Sequence, residues 1–376
     1  MSCLGENIKK LGFGLMRLPT VGEQIDVEQV KSMVDRFLEA GFTYFDTAWA
    51  YPGSEDAIRQ ALVERYPREA FQLATKNAAW IKCASRDEAA AQFETSLRQT
   101  GAGYFDFYLL HNLGEGRTRF FDDFGMWDFV REKKRLGLIR HAGFSFHSTP
   151  EELDALLTAH PDMEFVQLQI NYADWENPAI QSRGCYEVAR RHGRPVIIME
   201  PVKGGMLAKP PKAVTDIFST LNPGPSPASW AIRFAASLEG VVTVLSGMSS
   251  LEQMEDNLSF MKDFRPLSNE EQDAILAAQQ ALAAFPLIPC TTCNYCAKLC
   301  PREIGISGSF TAMNHFILFN DKAAARHQEN WLVSMHGRKS AAECIQCGEC
   351  EAVCPQHIAI RDELVRVVQS LGLTTA

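Results

Sequence analysis

Eight of the chain's eleven cysteines fall into two combs. Cys290, Cys293, Cys296 and Cys300 follow C-x2-C-x2-C-x3-C with Pro301 next, and Cys344, Cys347, Cys350 and Cys354 repeat the run with Pro355 next. Two-residue gaps let three thiolates reach one compact inorganic core, and the proline turns the chain away after the fourth. Thiolates grouped in this way hold soft metals, either zinc ions or [4Fe–4S] clusters. Zinc draws its four ligands in separated pairs, whereas an unbroken x2-x2-x3-Pro run used twice favours two cubanes. Such clusters pass single electrons. Cys3, Cys83 and Cys185 stand alone and read as ordinary thiols.

A second chemical set lies earlier, in "FDTAWAY" (45–51), "LATKN" (73–77) and "YLLHN" (108–112). It holds Asp46, Tyr51, Lys76 and His111. A tyrosine of pKa about 10 is a poor acid at neutral pH, but a neighbouring ammonium stabilises its phenolate. Asp46 would anchor Lys76, Lys76 would tune Tyr51, and Tyr51 would protonate a carbonyl oxygen as hydride arrives at carbon. His111 would orient the same oxygen.

The elements that must position this set are legible as alternation. Apolar, β-rich runs occur at 11–16, 43–47, 71–75, 104–111, 139–145, 164–169, 195–200 and 241–247, with helical patterns between them. Residues 26–41 carry apolar positions at helical spacing and close on Gly41; residues 148–160 open with a Ser/Thr cap, a proline and two acids. Eight such alternations predict an α/β fold, a (β/α)8 TIM barrel whose strand ends hold the reactive groups. Asp46, Lys76 and His111 end three consecutive strands. An open doubly wound sheet would carry G-x-G-x-x-G after its first strand, which "GFGLM" does not match. We expect the barrel over 1–265, a connecting helix over 266–286 opened by a Ser268/Glu271 capping box, and a small, mainly helical iron–sulfur domain over 287–376.

The combs match the ligand run of bacterial two-cluster ferredoxins. That likeness implies a ferredoxin-like domain with crossed ligation: one cluster on Cys290, Cys293, Cys296 and Cys354, the other on Cys344, Cys347, Cys350 and Cys300. The stretches "LGFGLMRLP", "FDTAWAY", "LATKN" and "DFYLLHN" resemble the aldo-keto reductases over roughly residues 8–265. The family's Asp, Tyr, Lys, His tetrad falls on Asp46, Tyr51, Lys76 and His111. The resemblance implies a nicotinamide cofactor, NAD(P)H, bound without a Rossmann domain, and carbonyl–alcohol interconversion. The whole layout is similar to a branch of that family with a C-terminal ferredoxin-type domain.

Two loops suit the cofactor's phosphates: "PVKGGML" (201–207), with Lys203, Gly204 and Gly205, and "SGMSSLEQ" (246–253), with Ser246, Gly247, Met248 and Gln253. By resemblance, Ser145 and Gln167 hold the nicotinamide amide and Asn257 touches the adenine. The chain departs from the family where Gly247 and Gln253 replace basic residues, where Met199 replaces a stacking aromatic, and where Phe146 follows Ser145 in place of Asn. The same loops could seat the phosphate of a flavin mononucleotide (FMN).

Hydride carries two electrons and a cubane one, so the two halves need a converter. Three readings stand. The first is a carbonyl reductase whose clusters are structural or regulatory. The second is a ferredoxin-linked reductase with a barrel-bound flavin. The third is a non-catalytic electron-transfer or redox-sensing protein, against which the intact tetrad argues. The net charge of −9 and the lack of any basic run speak against nucleic acid or an anionic membrane as partner. The N-terminal stretch shows no signal-like apolar region and no long apolar run predicts a membrane span, so we expect a cytoplasmic location, where cysteines stay reduced and a dense cluster reads as a metal site.

Overall fold

The computed structural model describes residues 4, 7–22, 24–114, 116–178 and 180–374; Cys3 lies outside them. These residues form two compact units. The first comprises Met1–Asn177, Gln181–Pro201 and Ala228–Gln272, the second Pro178–Ile180, Val202–Pro227 and Asp273–Ala376.

The first unit is a closed barrel of eight parallel strands. They are β1 (Leu11–Gly14), β2 (Tyr44–Asp46), β3 (Gln72–Asn77), β4 (Phe105–Leu113), β5 (Ile139–Phe146), β6 (Phe165–Gln169), β7 (Val196–Met199) and β8 (Val241–Ser246). Each pairs with its sequence neighbours, and β1 closes on β8 through Leu11 opposite Val244. The strands are buried on both faces, so they read as continuous apolar runs rather than alternations. Four of the intervening helices start on a side-chain cap: Asp26, Ser85, Thr149 and Ser250 each accept a backbone N–H three residues on. A short hairpin, Thr20–Val21 with Gln24–Ile25, was not evident in the sequence pattern.

The two-residue period of the strands sets what enters the barrel. Tyr44, Ala74, Phe107, Leu109, Phe165 and Ile197 form one buried apolar cluster. Tyr44 meets Phe107 edge-on at 5.0 Å and Phe107 meets Phe165 at 5.3 Å between ring centroids. Phe45 points the other way, against Phe37 of the helix Val27–Glu39. Two positions beyond this apolar floor, on the same face of each strand, stand Asp46, Lys76, His111, Gln167 and Met199. Period and register together therefore deliver polar groups to one level of the barrel.

The second unit is mainly helical. Between the combs lie two helices, Ile306–Phe319 and Lys322–His336, separated at Asn320. Asn320 has φ of +52°, and Asp321 caps the next helix by accepting from Ala324 N–H at 2.9 Å. The two pack so closely that a Cβ on Gly308 would lie 2.4 Å from Leu332 Cδ1. Phe310, Met313, Ile358, Ile360, Leu364 and Val367 share one core with Cys296, Cys350 and Cys354. The helix Asn269–Ala283 opens with the expected capping box: Ser268 N donates to Glu271 Oε2 at 2.9 Å and Glu271 N to Ser268 Oγ at 3.2 Å. Among the described residues no helix is long and apolar enough to cross a membrane.

Candidate functional site

Lys76 is wholly buried, and its Nζ donates to Asp46 Oδ1 at 2.5 Å and to Thr47 O at 2.7 Å. Gln167 Nε2 donates to the other carboxylate oxygen of Asp46 at 3.0 Å. Burial acts against both charges: it draws Lys76 below the ordinary lysine range and lifts Asp46 above the ordinary carboxylate range. Their mutual attraction opposes both shifts.

Tyr51 lies beyond β2 on a loop, and is only partly buried. The loop is pinned from below: Ser54 Oγ donates to Leu15 O at 2.9 Å and lies 2.7 Å from Thr47 Oγ1. The Tyr51 ring centroid is 4.9 Å from Lys76 Nζ and 5.8 Å from the His111 ring, which it meets edge-on. Trp80 backs His111 from the other side, with its Nε1 donating to His111 O at 2.9 Å. The four residues expected to act together thus surround one point at the barrel's rim.

Several of the barrel unit's cofactor candidates hydrogen-bond within the protein. Ser145 Oγ accepts from Asn112 N at 2.7 Å, and Asn257 Nδ2 donates to Ser246 Oγ at 2.8 Å. Gln253 Oε1 accepts from Ser249 N at 2.8 Å, folding the loop after β8 onto the start of helix Leu251–Met261. Met248 is buried. That loop has no basic residue of its own, but Arg17, from the turn after β1, reaches it. A Cβ on Gly247 would lie 3.8 Å from the Arg17 guanidinium, which also meets Glu200 at 3.3 Å. Lys203, Gly204 and Gly205 belong to the second unit. All three have positive φ, +48°, +64° and +99°, and Lys203 is buried.

In the second unit the combs repeat in conformation as well as in sequence. Thr292, Asn294 and Glu303 have positive φ, and so do their counterparts Gln346, Gly348 and His357. Successive turns of this kind aim backbone N–H groups inward, where they can meet sulfur; Thr292 N already donates to Cys290 Sγ at 3.4 Å. A small cavity is lined by Cys300, Cys344, Cys347 and Cys350. Burial pushes the Cys296 thiol up, and the charges next in effect are Cys293, Cys290, Cys354 and Cys350. The four cysteines lining the cavity are those of one crossed set. Among the described residues no group of three or more His, Cys, Asp or Glu is placed to hold a single metal ion. The donors fit two cubanes.

Residues 10–280 match the aldo/keto reductase family, and residues 289–359 match a 4Fe-4S dicluster domain. The chain belongs to the aldo/keto reductase family. An aldo-keto reductase of Mycolicibacterium vanbaalenii is 30% identical over 240 residues, covering 63% of this chain and 79% of that one. One from Mycolicibacterium smegmatis is 26% identical over the same length and shares. Among solved structures, an aldo/keto reductase from Klebsiella pneumoniae in complex with NADP and acetate superposes with a TM-score of 0.55 at 22% identity, covering 71% of this chain and 90% of that one. An aldo-keto reductase from Bacillus halodurans gives 0.56 at 24%, covering 72% and 92%. At these identities the structural likeness is one of fold.

This aldo/keto reductase also surrounds its tetrad with groups that strand periodicity does not reveal. Glu55, buried beside β3, accepts from Thr75 Oγ1 at 2.6 Å and is lifted above the ordinary carboxylate range by burial. Its signal in the sequence was weak, an acid in the first turn of Ser54–Ile58. Of the lone thiols, Cys185 is buried and pushed up to about 12 by that burial, and Cys83 is raised for the same reason. Both suit an inert role.

Proposed function

We propose that this aldo/keto reductase reduces a small-molecule carbonyl at the barrel's rim, with Tyr51 as proton donor and NAD(P)H as hydride source. The observation that carries this reading is the buried Lys76–Asp46 pair with the Tyr51 ring over the ammonium. A bound reduced nicotinamide supplies hydride to the carbonyl carbon. The π pair of the C=O bond moves to oxygen, and Tyr51 Oη gives that oxygen its proton. The Lys76 ammonium stabilises the phenolate left behind, and Asp46 and Thr47 hold the ammonium in place. His111, kept by Trp80, donates to the oxygen and fixes its direction. Run backward, the same residues oxidise an alcohol.

The donors present suit a nicotinamide nucleotide. Ser145 and Gln167 take the carboxamide in this reading, and the loop Ser246–Met248 takes a phosphate, with Arg17 giving the positive charge that loop lacks. Asn257 and Gln253 shape that loop from the helix beneath it. In the second unit, the loop Lys203–Gly205 is the other phosphate candidate, with its backbone in the left-handed region at all three residues. The cluster domain supplies the second reading. Because it carries single electrons, it favours a ferredoxin-type partner and a flavin such as FMN as converter. Anaerobic purification followed by release and identification of the bound nucleotide separates the two. NADP(H) or NAD(H), with carbonyl-dependent nicotinamide oxidation, supports the first; bound FMN with no nicotinamide turnover overturns it.

A further inference from the structure

The two combs are alike in spacing and backbone, yet they differ at one pair of equivalent positions. Thr291, between the first two ligands of the first comb, is 1% exposed; Ile345, its counterpart in the second, is 58% exposed. What lies on Thr291 is the loop after β7. Gly204 takes φ of +64°, and a Cβ there would stand 2.6 Å from Thr291 O and 2.8 Å from Thr291 C and Cα. Contact this close is possible only for glycine, and the atoms it meets are backbone that cannot swing aside. Gly205, the next residue, has φ of +99° with nothing within 4 Å of its own Cβ position. Lys203, buried, holds φ of +48°, an uncommon backbone for a side-chain-bearing residue. The loop and the comb belong to one compact unit, so a change in either is felt by the other through packed backbone.

We propose that nucleotide binding at the loop Lys203–Gly205 and reduction of the cluster on Cys290, Cys293, Cys296 and Cys354 are thermodynamically linked, with Gly204 against Thr291 as the joint. The inference rests on the proposal that this loop takes the nucleotide's phosphates. The sign follows from charge. Reduction adds an electron to the cluster, and a bound phosphate brings negative charge to the same unit. Each therefore disfavours the other. Oxidised protein binds the nucleotide more tightly, and bound nucleotide lowers that cluster's potential, by the same factor. The cluster on Cys344, Cys347, Cys350 and Cys300, whose comb is open at Ile345, is left unmoved.

The test is an anaerobic redox titration of the full-length protein with its clusters intact. It is followed by electron paramagnetic resonance, with and without saturating 2′-phospho-ADP-ribose, which lacks the nicotinamide ring and takes no hydride. A Cys293→Ser variant assigns the signals. Affinity for this probe is measured separately on oxidised and dithionite-reduced protein. We expect about fivefold weaker binding to reduced protein, the low end of ordinary couplings. That factor equals a potential lower by about 41 mV for a one-electron couple, confined to one cluster. Gly204→Ala should perturb that cluster's signal and shrink the coupling. Gly337→Ala, in the same unit at a comparable φ of +58° with nothing within 4 Å of its Cβ position and outside both the loop and the combs, should leave both intact. If the probe does not bind at all, the nucleotide assignment itself fails. If it binds and neither potential moves, or both Ala variants behave alike, the linkage is overturned while nucleotide binding stands.

Discussion

Lys76 Nζ stands 2.5 Å from Asp46 Oδ1 inside a closed barrel where neither side chain reaches solvent. A buried ion pair of this kind is weak evidence for stability, because desolvation offsets its attraction. Removing one partner is another matter. Lys76→Met leaves Asp46 buried without its cation, so the variant should lose about 3–5 kcal/mol of stability. Carbonyl turnover should fall by about 10²-fold or more. Asp46→Asn combined with Lys76→Met should recover most of the stability and none of the turnover. Denaturant unfolding and steady-state rates on the three proteins check this; recovery of both would mean that the pair has no chemical role.

Arg17 touches both Glu200 and the loop after β8. Arg17→Gln should weaken nicotinamide nucleotide binding by about tenfold, as expected for a charge-assisted contact, with little change in turnover at saturating cofactor. Fluorescence titration of NADPH gives the affinity directly. An unchanged dissociation constant would leave Arg17 a structural partner of Glu200 alone.

Crossed ligation makes a specific claim about distant cysteines. Cys290→Ser and Cys354→Ser should each perturb the same cluster signal, and Cys344→Ser and Cys300→Ser the other. Paramagnetic resonance of the four reduced variants decides it. If Cys290→Ser and Cys354→Ser affect different clusters, the cavity lined by Cys300, Cys344, Cys347 and Cys350 has been misassigned.

Glu164 offers a pH test of the barrel. Burial pushes its carboxyl up, but His141, Lys134 and the Ala142 N–H together pull it down from 4.5 to about 2. A carboxylate with a depressed pKa stabilises the fold above its unfolded value, and that stabilisation is lost as pH falls from about 4.5 through 2. With the side chain 26% exposed, the contribution is on the order of 2 kcal/mol. Glu164→Gln should therefore cost about that much at pH 7 and about half of it at pH 3. Urea unfolding at both values reads the gap; a constant difference would refute the assignment.

The sequence made the strand-borne residues legible because strand period and chain order are local. Asp46, Lys76 and His111 each follow an apolar run, and the parity that places Tyr44, Ala74 and Leu109 in the barrel places them there too. Arg17, Glu55 and Trp80 were not legible. They arrive from a turn, a short helix and a loop, and nothing local says that closing the barrel brings Glu55 and Trp80 to the tetrad and Arg17 to the loop after β8. The break at Asn320 is not visible in the sequence because good helix formers flank it on both sides, so a single residue in the left-handed region decides the outcome. The contact of Gly204 with Thr291 could not be read either, since it joins segments far apart in the chain.

The account's central claim is that the phenol of Tyr51 donates the proton. The most direct measurement is single-turnover carbonyl reduction by Tyr51→Phe, assayed beside its cluster absorbance and its nicotinamide affinity. The account predicts a rate lowered by about 10²–10⁴-fold, with unchanged absorbance at both clusters and nucleotide affinity within about twofold of wild type. A variant that turns over at the wild-type rate would contradict it.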